Sequence, residues 1–217
     1  MDQKKDQSYF LFTTTAEQLD FLDFPLGNMT KEETRRMAES YNLIEVANKP
    51  ESQDICFVPN GNYRDVLKQN DKTVFAPGHI VNSQGKILGQ HNGIVNYTIG
   101  QRKGLDLKVN QSFANPLYVI AINSVNNEVV VGEKEELKGY KLLVNNINFL
   151  CHEFQEIDCT VKLRSTHEGS KARVKMKNNK ALVELYEPFL AITPGQACVF
   201  YDDSRVLGGG WIEKQCN

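Results

Sequence analysis

The spacing of apolar positions changes along the chain, and the change divides it. "TAEQLDFL" opens with Thr15 and Gln18 at capping-box spacing and carries Leu19 and Leu22 on one helical face. "TKEETRRMAESYN" repeats the device with Thr30 and Glu33, adds a Glu32–Arg36 pair one turn apart, and offers Asn42 as a stop. Its apolar stripe of Met37, Ala38 and Tyr41 is narrow. Two short helices joined by "DFPLGNM" cannot enclose a core alone, so this segment reads as an appendage to something larger. "NYRDVLKQN" predicts one more helix.

Beyond it the period drops to two. "HIVNSQGKILGQ" reads as a hairpin around Ser83–Gly85, and "PLYVIAINSVNNEVVVG" as a second, turning at Asn126–Asn127. In "IDCTVKLRS", Ile157, Cys159, Val161 and Leu163 face one way, while Asp158, Thr160, Lys162 and Arg164 face the other. "KARVKMKNNKALVELYE" folds back around Asn178–Asn179 with Ala172, Val174 and Met176 inward, and "QACVFYDDSRVLGGGWIE" supplies two more strands. The pattern predicts a mainly β protein. A short helical N-terminal segment precedes a small central β domain and a C-terminal β-barrel, with a boundary in "EKEELKGY", near residues 133–140.

The chain has 217 residues, 41% hydrophobic and 24% charged, which is the composition of a globular protein with one large or two small domains. A formal net charge of −2 supplies no global field toward nucleic acid or membrane, so any such attraction comes from local clustering. No apolar run reaches the length of a membrane span, and "MDQKKDQSYF" is too polar for a signal peptide. The five cysteines are widely spaced and lack a CxxC pair, which argues against a disulfide framework or zinc knuckle and for a reducing cytoplasm.

Charge does cluster in one place. Between Cys159 and Lys180 seven basic residues (Lys162, Arg164, Lys171, Arg173, Lys175, Lys177 and Lys180) stand against one acid, Glu168. On the solvated face of alternating strands they make the footprint of a phosphate-binding hairpin, or they blunt exposed strand edges; the pattern alone supports either. Cys56, in "ESQDICFVP", sits where a polar loop becomes a short apolar segment, not inside a long apolar run. That placement suits a thiol reached at one moment and hidden at another. Set against this, a lone intracellular cysteine is as a rule inert, because reactivity needs a lowered pKa or a nearby cation.

Cys151, Cys159, Cys198 and Cys216 read as core or terminal residues. "LGGGWI" lies inside a strand pattern without the Lys-Ser/Thr or following helix of a phosphate loop, so its glycines predict a bulge or close backbone approach at a barrel seam. "TIGQRKGL" reads as a solvated turn holding Gln101, Arg102 and Lys103. The four histidines show no metal-ligand spacing, and no metal site is expected.

Six stretches in order resemble the bacterial tRNA-specific 2-thiouridylases: "KDQSYFL", "FPLG", "SQDICF", "YTIGQRKGL", "TPGQACVFY" and "LGGGWI". Members of that family begin with an ATP-pyrophosphatase domain bearing a Ser-Gly-Gly-x-Asp-Ser phosphate loop and a first catalytic cysteine, neither of which this sequence contains. The resemblance therefore implies the C-terminal portion of such an enzyme. Residues 1–65 would be the tail of the catalytic domain with the Cys56 loop, 66–135 a small central β domain, and 136–217 a tRNA-binding β-barrel.

The resemblance also implies a chemistry. The full enzyme would use ATP and Mg to adenylate the C2 oxygen of the wobble uridine, position 34 of tRNA. A persulfide on Cys56 would deliver sulfur to that carbon, and the absent cysteine would then close a disulfide with Cys56. Adenylation turns a poor amide-like electrophile into one with a leaving group, and a persulfide is a soft nucleophile carrying its own transferable sulfur. A sulfur-relay protein or cysteine desulfurase is the implied donor; one cysteine leaves an iron–sulfur cluster open. Lys5, Asp6 and Gln7 match a tRNA-contacting segment, as does Gln196 of the "PGQ" turn. Arg164 and Ser165 match a barrel pair that usually reads Arg-Tyr, and the serine removes whatever stacking the tyrosine ring supplies. The expectation is a cytoplasmic monomer, away from membranes, that binds tRNA but is inactive without the ATP site. Two other readings compete: a stand-alone RNA-binding β-barrel without catalysis, and a thiol sulfur carrier that ignores tRNA.

Overall fold

Both capping boxes form in the computed structural model of the chain, which describes residues 6–49, 73–105, 107 and 115–216. In helix α1 (Ala16–Phe21) the Thr15 hydroxyl accepts the Gln18 N–H at 3.2 Å while the Gln18 side chain accepts the Thr15 N–H at 2.9 Å. Helix α2 (Lys31–Ser40) repeats this with Thr30 and Glu33. It stops at Asn42, whose φ of 58° is left-handed. The Asn42 and Leu43 N–H groups return to the Glu39 and Ala38 carbonyls at 2.9 Å each, satisfying acceptors the helix leaves open. Two further elements escape the sequence pattern: a 3-10 helix at Ser8–Thr13 and a short α3 (Ile44–Asn48). Neither α1 nor α2 buries a residue, and Phe21 and Tyr41 stand 91% and 72% exposed, so the segment is the appendage its narrow stripe predicted. The helix expected in "NYRDVLKQN" lies outside the described residues, as do Lys5 and Cys56.

The two expected hairpins form one sheet. Strands β1 (Gly78–Asn82) and β2 (Ile87–His91) pair antiparallel, as do β3 (Tyr118–Asn123) and β4 (Glu128–Gly132). The order is β2-β1-β4-β3, joined by a parallel β1–β4 ladder that brings Ile80 beside Val129. Ile80, Val119, Val129 and Val131 are fully buried in its core. His91 is buried with them: its Nδ1 accepts the Gly93 N–H and its Nε2 donates to the Asn127 carbonyl, both at 3.1 Å. Both ring nitrogens are therefore satisfied, which makes this histidine a core latch.

Six strands then close a barrel: β5 (Lys138–Phe149), β6 (Glu156–Lys162), β7 (Ser170–Lys177), β8 (Lys180–Leu190), β9 (Ala197–Asp202) and β10 (Arg205–Cys216), in the order β10-β5-β8-β7-β6-β9. The architecture is mainly β with a short helical start, as expected. Alternation decides which side chains enter: Cys159, Val161, Ala172, Val174 and Val183 are buried, with Met176 packed against them. Asn178 and Asn179, at φ of 49° and 62°, make the two-residue turn between β7 and β8 that right-twisted strands favour. The barrel closes through β10, which is paired on both edges and shifts register at Val206/Gly208 against β9 and at Gly209/Trp211 against β5. Gly208 (φ 147°) lies so near β5 that an added Cβ would stand 2.2 Å from the Asn148 oxygen, and at Gly210 one would stand 2.3 Å from the Asn145 oxygen. "LGGGWI" is thus the seam its pattern indicated.

Gly208→Ala is expected to destabilise the protein by about 2–3 kcal/mol, because rigid backbone has to move. Gly195, whose φ is 84° but which has open space around it, is the control. Gly195→Ala should cost only about 1 kcal/mol of backbone strain. Thermal unfolding of both variants checks the ranking; equal losses would mean that close approach is not what the seam requires.

Candidate nucleic-acid interface

Strand β9, "ACVFYD", is apolar on both faces, and this seats the N-terminal 3-10 helix on the barrel. Cys198 and Phe200 turn into the barrel, while Ala197, Val199 and Tyr201 turn outward and are buried all the same. Their cover is the 3-10 helix, which lays Tyr9 and Phe12 across them. The Tyr9 hydroxyl donates to the Ala197 carbonyl at 2.9 Å. Ser8 Oγ and Tyr201 Oη lie 3.3 Å apart in a hydrogen bond, and Phe12 meets Trp211 edge-on at 5.3 Å. Asn148 on β5 donates to the Phe12 and Thr14 carbonyls at 2.7 and 2.9 Å. Burial pushes the Tyr9 phenol up to about 12, so it stays a neutral donor.

This docking assembles several of the residues matched from sequence. Asp6 and Gln7 are exposed just ahead of the helix, the Asp6 carboxylate accepting the Ser8 N–H at 2.8 Å. Gln196 is exposed one residue before Ala197; its carbonyl accepts the Ile212 N–H at 2.8 Å, which leaves its side chain outside the barrel. Arg164 lies two residues past the end of β6, not on the strand, and its charge is felt at the Tyr9 phenol. Its guanidinium donates to the Leu190 carbonyl at 3.1 Å and lies 4.9 Å from the Phe189 ring centre. Ser165 follows it, exposed in the same turn. Lys162 caps the Tyr201 ring at 5.0 Å. One exposed rim therefore carries Asp6, Gln7, Lys162, Arg164, Ser165 and Gln196.

The basic face is not uniform. The Arg173 side chain donates to both carboxylate oxygens of Asp158, at 2.9 and 3.1 Å, and lies 3.4 Å from Glu156. Lys175 and Lys141 share Glu184, and Lys180 pairs with Glu213 at 2.6 Å. Asp158 and Glu156 stand at the start of β6 itself, Glu184 on β8 and Glu213 on β10, all outside the stretch from Cys159 to Lys180. Among the described residues Lys162, Arg164, Lys171 and Lys177 have no carboxylate partner. Lys171 stands beside Thr160, which in turn pairs with Tyr201, so it lies two strands from the docked helix. Lys162 and Arg164 therefore leave positive charge without a carboxylate partner at the rim, Lys177 leaves it at the far β7–β8 turn, and the middle of the face is neutralised.

The remaining candidates are structural. Cys159 and Cys198 are buried thiols, the first pushed up to about 11 and the second well above its usual value, in both cases chiefly by burial. Burial also raises Cys151, so all three are poor nucleophiles at neutral pH. The four described cysteines are free. No group of His, Cys, Asp or Glu among the described residues could hold a metal ion, and no helix among them is long and apolar enough to cross a membrane. The glycines of "LGGGWI" face backbone, so that run offers no cradle for the phosphates of ATP.

Three family models match the chain in succession: the tRNA methyl transferase HUP domain over residues 1–60, the tRNA methyl transferase PRC-barrel domain over 64–133, and the aminomethyltransferase beta-barrel domain over 140–212. Their order is that of a modular protein of the tRNA-modifying class. Among curated relatives, the tRNA-specific 2-thiouridylase MnmA of Rickettsia canadensis is 49% identical over 99% of this chain and 58% of its own length. That of Roseobacter denitrificans is 50% identical over 98% of the chain and 57% of its own. The corresponding protein of Ehrlichia ruminantium (strain Gardel) is 50% identical over 97% and 56%. The chain belongs to the MnmA tRNA 2-thiouridylase family and spans a little over half the length of these relatives.

The Asp158–Arg173 pair makes a pH prediction. Two hydrogen bonds from Arg173, then one from the Tyr186 hydroxyl, hold the Asp158 carboxyl down to about 2 from an ordinary 3.8. A depressed folded-state pKa contributes stability that is present above 3.8 and lost as pH falls through about 2. The melting-temperature gap between the native protein and Asp158→Asn should therefore be constant above about pH 4 and close toward pH 2. A gap that does not change across that window would show that the pair adds nothing in solution.

Proposed function

We propose that this chain is the tRNA-binding and persulfide-carrying portion of a tRNA 2-thiouridylase. Residues 1–65 belong to the tail of its catalytic domain, 66–135 form its central β domain, and 136–217 form its tRNA-binding barrel. One observation carries the reading: the 3-10 helix docks on β9 and gathers Asp6, Gln7, Arg164, Ser165 and Gln196, all matched to tRNA contacts from sequence, on one rim with unneutralised positive charge. Lys5, matched to the same tRNA-contacting segment from sequence, lies outside the described residues. Arginine and lysine on that rim would meet phosphates of the anticodon arm, and the Gln7 and Gln196 amides would contact polar edges of the RNA.

The chemistry assigned to Cys56 balances as follows. The outer sulfur of a Cys56 persulfide bonds to C2 of an activated wobble uridine, and the activating group leaves with the C2 oxygen. A thiolate from a second cysteine then attacks Cys56 Sγ. The Cys56 S–S bond to the transferred sulfur breaks, 2-thiouridine departs, and the two cysteines end as a disulfide. A persulfide donor, a relay protein or cysteine desulfurase, recharges Cys56 after that disulfide is reduced. The glycines of "LGGGWI" offer no phosphate cradle, and activation is assigned to the portion of such enzymes that this chain does not match.

Cys56→Ser in the complete enzyme should abolish 2-thiouridine in tRNA, read by nucleoside mass spectrometry, while tRNA affinity holds. Persistent thiolation would remove Cys56 from the chemistry and favour a plain RNA-binding barrel. Arg164→Ala should weaken tRNA binding about tenfold and lower the salt slope by about one. Arg173→Ala should do much less, because its charge is already matched by Asp158 and Glu156. Equal losses from the two would spread the footprint over the whole hairpin.

A further inference from the structure

Arg164 is held by groups that carry no charge, and behind them stands a histidine. The guanidinium lies over the Phe189 ring, and the imidazole of His167 packs against the same ring at 4.6 Å between centres, tilted by 52°. His167 is also tied to both ends of the β6–β7 turn that bears Arg164. Its Nδ1 accepts the Leu163 N–H at 3.2 Å, its Nε2 lies 3.2 Å from Ser170 Oγ, and its backbone N–H donates to the Arg164 carbonyl at 3.1 Å. An Nδ1 that accepts is unprotonated, so the proton sits on Nε2 and the ring is neutral.

We propose that His167, acting through Phe189 and the turn it pins, is a positioning residue that presents the Arg164 guanidinium to an RNA phosphate, and that protonating His167 releases the arginine. The proposal rests on the reading of Arg164 as a tRNA contact. A second proton on the ring can go only to Nδ1, which would turn the acceptor of the Leu163 N–H into a donor facing it. It would also place a full charge one aromatic ring away from Arg164. The charged groups that act on His167 are Arg164 and Lys162, which oppose its protonation, and Glu168, which favours it. Burial disfavours the charged ring further, so the imidazole titrates below its usual value, and neutral pH keeps the turn assembled.

The test uses the complete enzyme and an unmodified tRNA transcript in filter binding. Phe189→Ala and His167→Ala should each weaken binding by at least about threefold, the scale of a lost cation–π seat. Neither should weaken it further when Arg164→Ala is already present, and Phe189→Tyr, which keeps the ring, should restore binding. Additive losses in the double variants would overturn the proposal, because His167 would then act independently of Arg164. Should His167→Ala fail to fold, the unmutated protein still decides. Lowering the pH from about 7.5 to about 4.5, well below the usual imidazole range, should weaken its binding and leave that of Arg164→Ala comparatively flat, and unchanged binding across that range would overturn the release on protonation. Tighter binding on acidification would mean that charged His167 itself meets phosphate, and would reject the positioning role. If Arg164→Ala binds tRNA like the native protein, the reading of Arg164 as a contact fails and the proposal falls with it. If Arg164→Ala is defective while His167→Ala and Phe189→Ala are normal, only the positioning role fails.

Discussion

Three consecutive positions without side chains, Gly208 to Gly210, set the geometry on which the rest of the barrel depends. Strand β10 must be bonded on both edges for the sheet to close, and at this point β5 and β9 crowd it from both sides. A Cβ at Gly209 would meet the Cys198 oxygen at 2.7 Å and the Phe12 ring at 3.1 Å. The seam is therefore a close approach of three strands with a helix lying on top. Removing side chains there has two effects at once: it lets the ladder close, and it opens a shallow floor into which Phe12 can settle.

That second effect brings together residues far apart in sequence. Tyr9 and Phe12 are buried against β9 and β10, and covering two aromatic side chains contributes roughly 1.5–3 kcal/mol each. The Tyr9 and Asn148 hydrogen bonds add about 1 kcal/mol apiece. Ion pairs such as Lys175–Glu184 add little to that, because water and salt screen them. Apolar cover, not surface charge, is what holds the N-terminal segment to the barrel and aligns Asp6 and Gln7 with Gln196. The ion pairs act on a different quantity: they decide which positive charges remain unmatched.

What could be read in the sequence follows the range of the forces involved. Capping boxes, the Asn42 stop, the Asn178–Asn179 turn and strand alternation depend on residues within one turn or one hairpin, and each was visible. The parallel β1–β4 ladder was not, because its partners are some 49 positions apart and either hairpin satisfies its own period without it. The docking of Ser8–Thr13 did leave a signal, since "ACVFY" is apolar where a strand with one wet face would alternate. Neutralisation of the basic face left no such signal between Cys159 and Lys180: Asp158 and Glu156 lie just before that stretch, Glu184 four positions after it, and Glu213 on β10 is distant in sequence. The rim residues were legible individually, through family resemblance, but their convergence belongs to the fold.

The partners of each arginine then separate two kinds of positive charge. For Arg173 to meet a phosphate it must give up, or share, a bidentate contact with Asp158, and the approaching anion would feel that carboxylate and Glu156 nearby. Arg164 is seated on a ring and a backbone carbonyl, which fix its direction, and it has no carboxylate partner among the described residues. Among those residues one of its five N–H donors is used, on the Leu190 carbonyl, so a phosphate could be gripped there without first breaking an ion pair. A net charge of −2 supplies no general attraction for a polyanion, so any phosphate contact would have to come from such sites. On a surface of this charge, the places without carboxylates mark candidate phosphate sites better than the number of basic residues does.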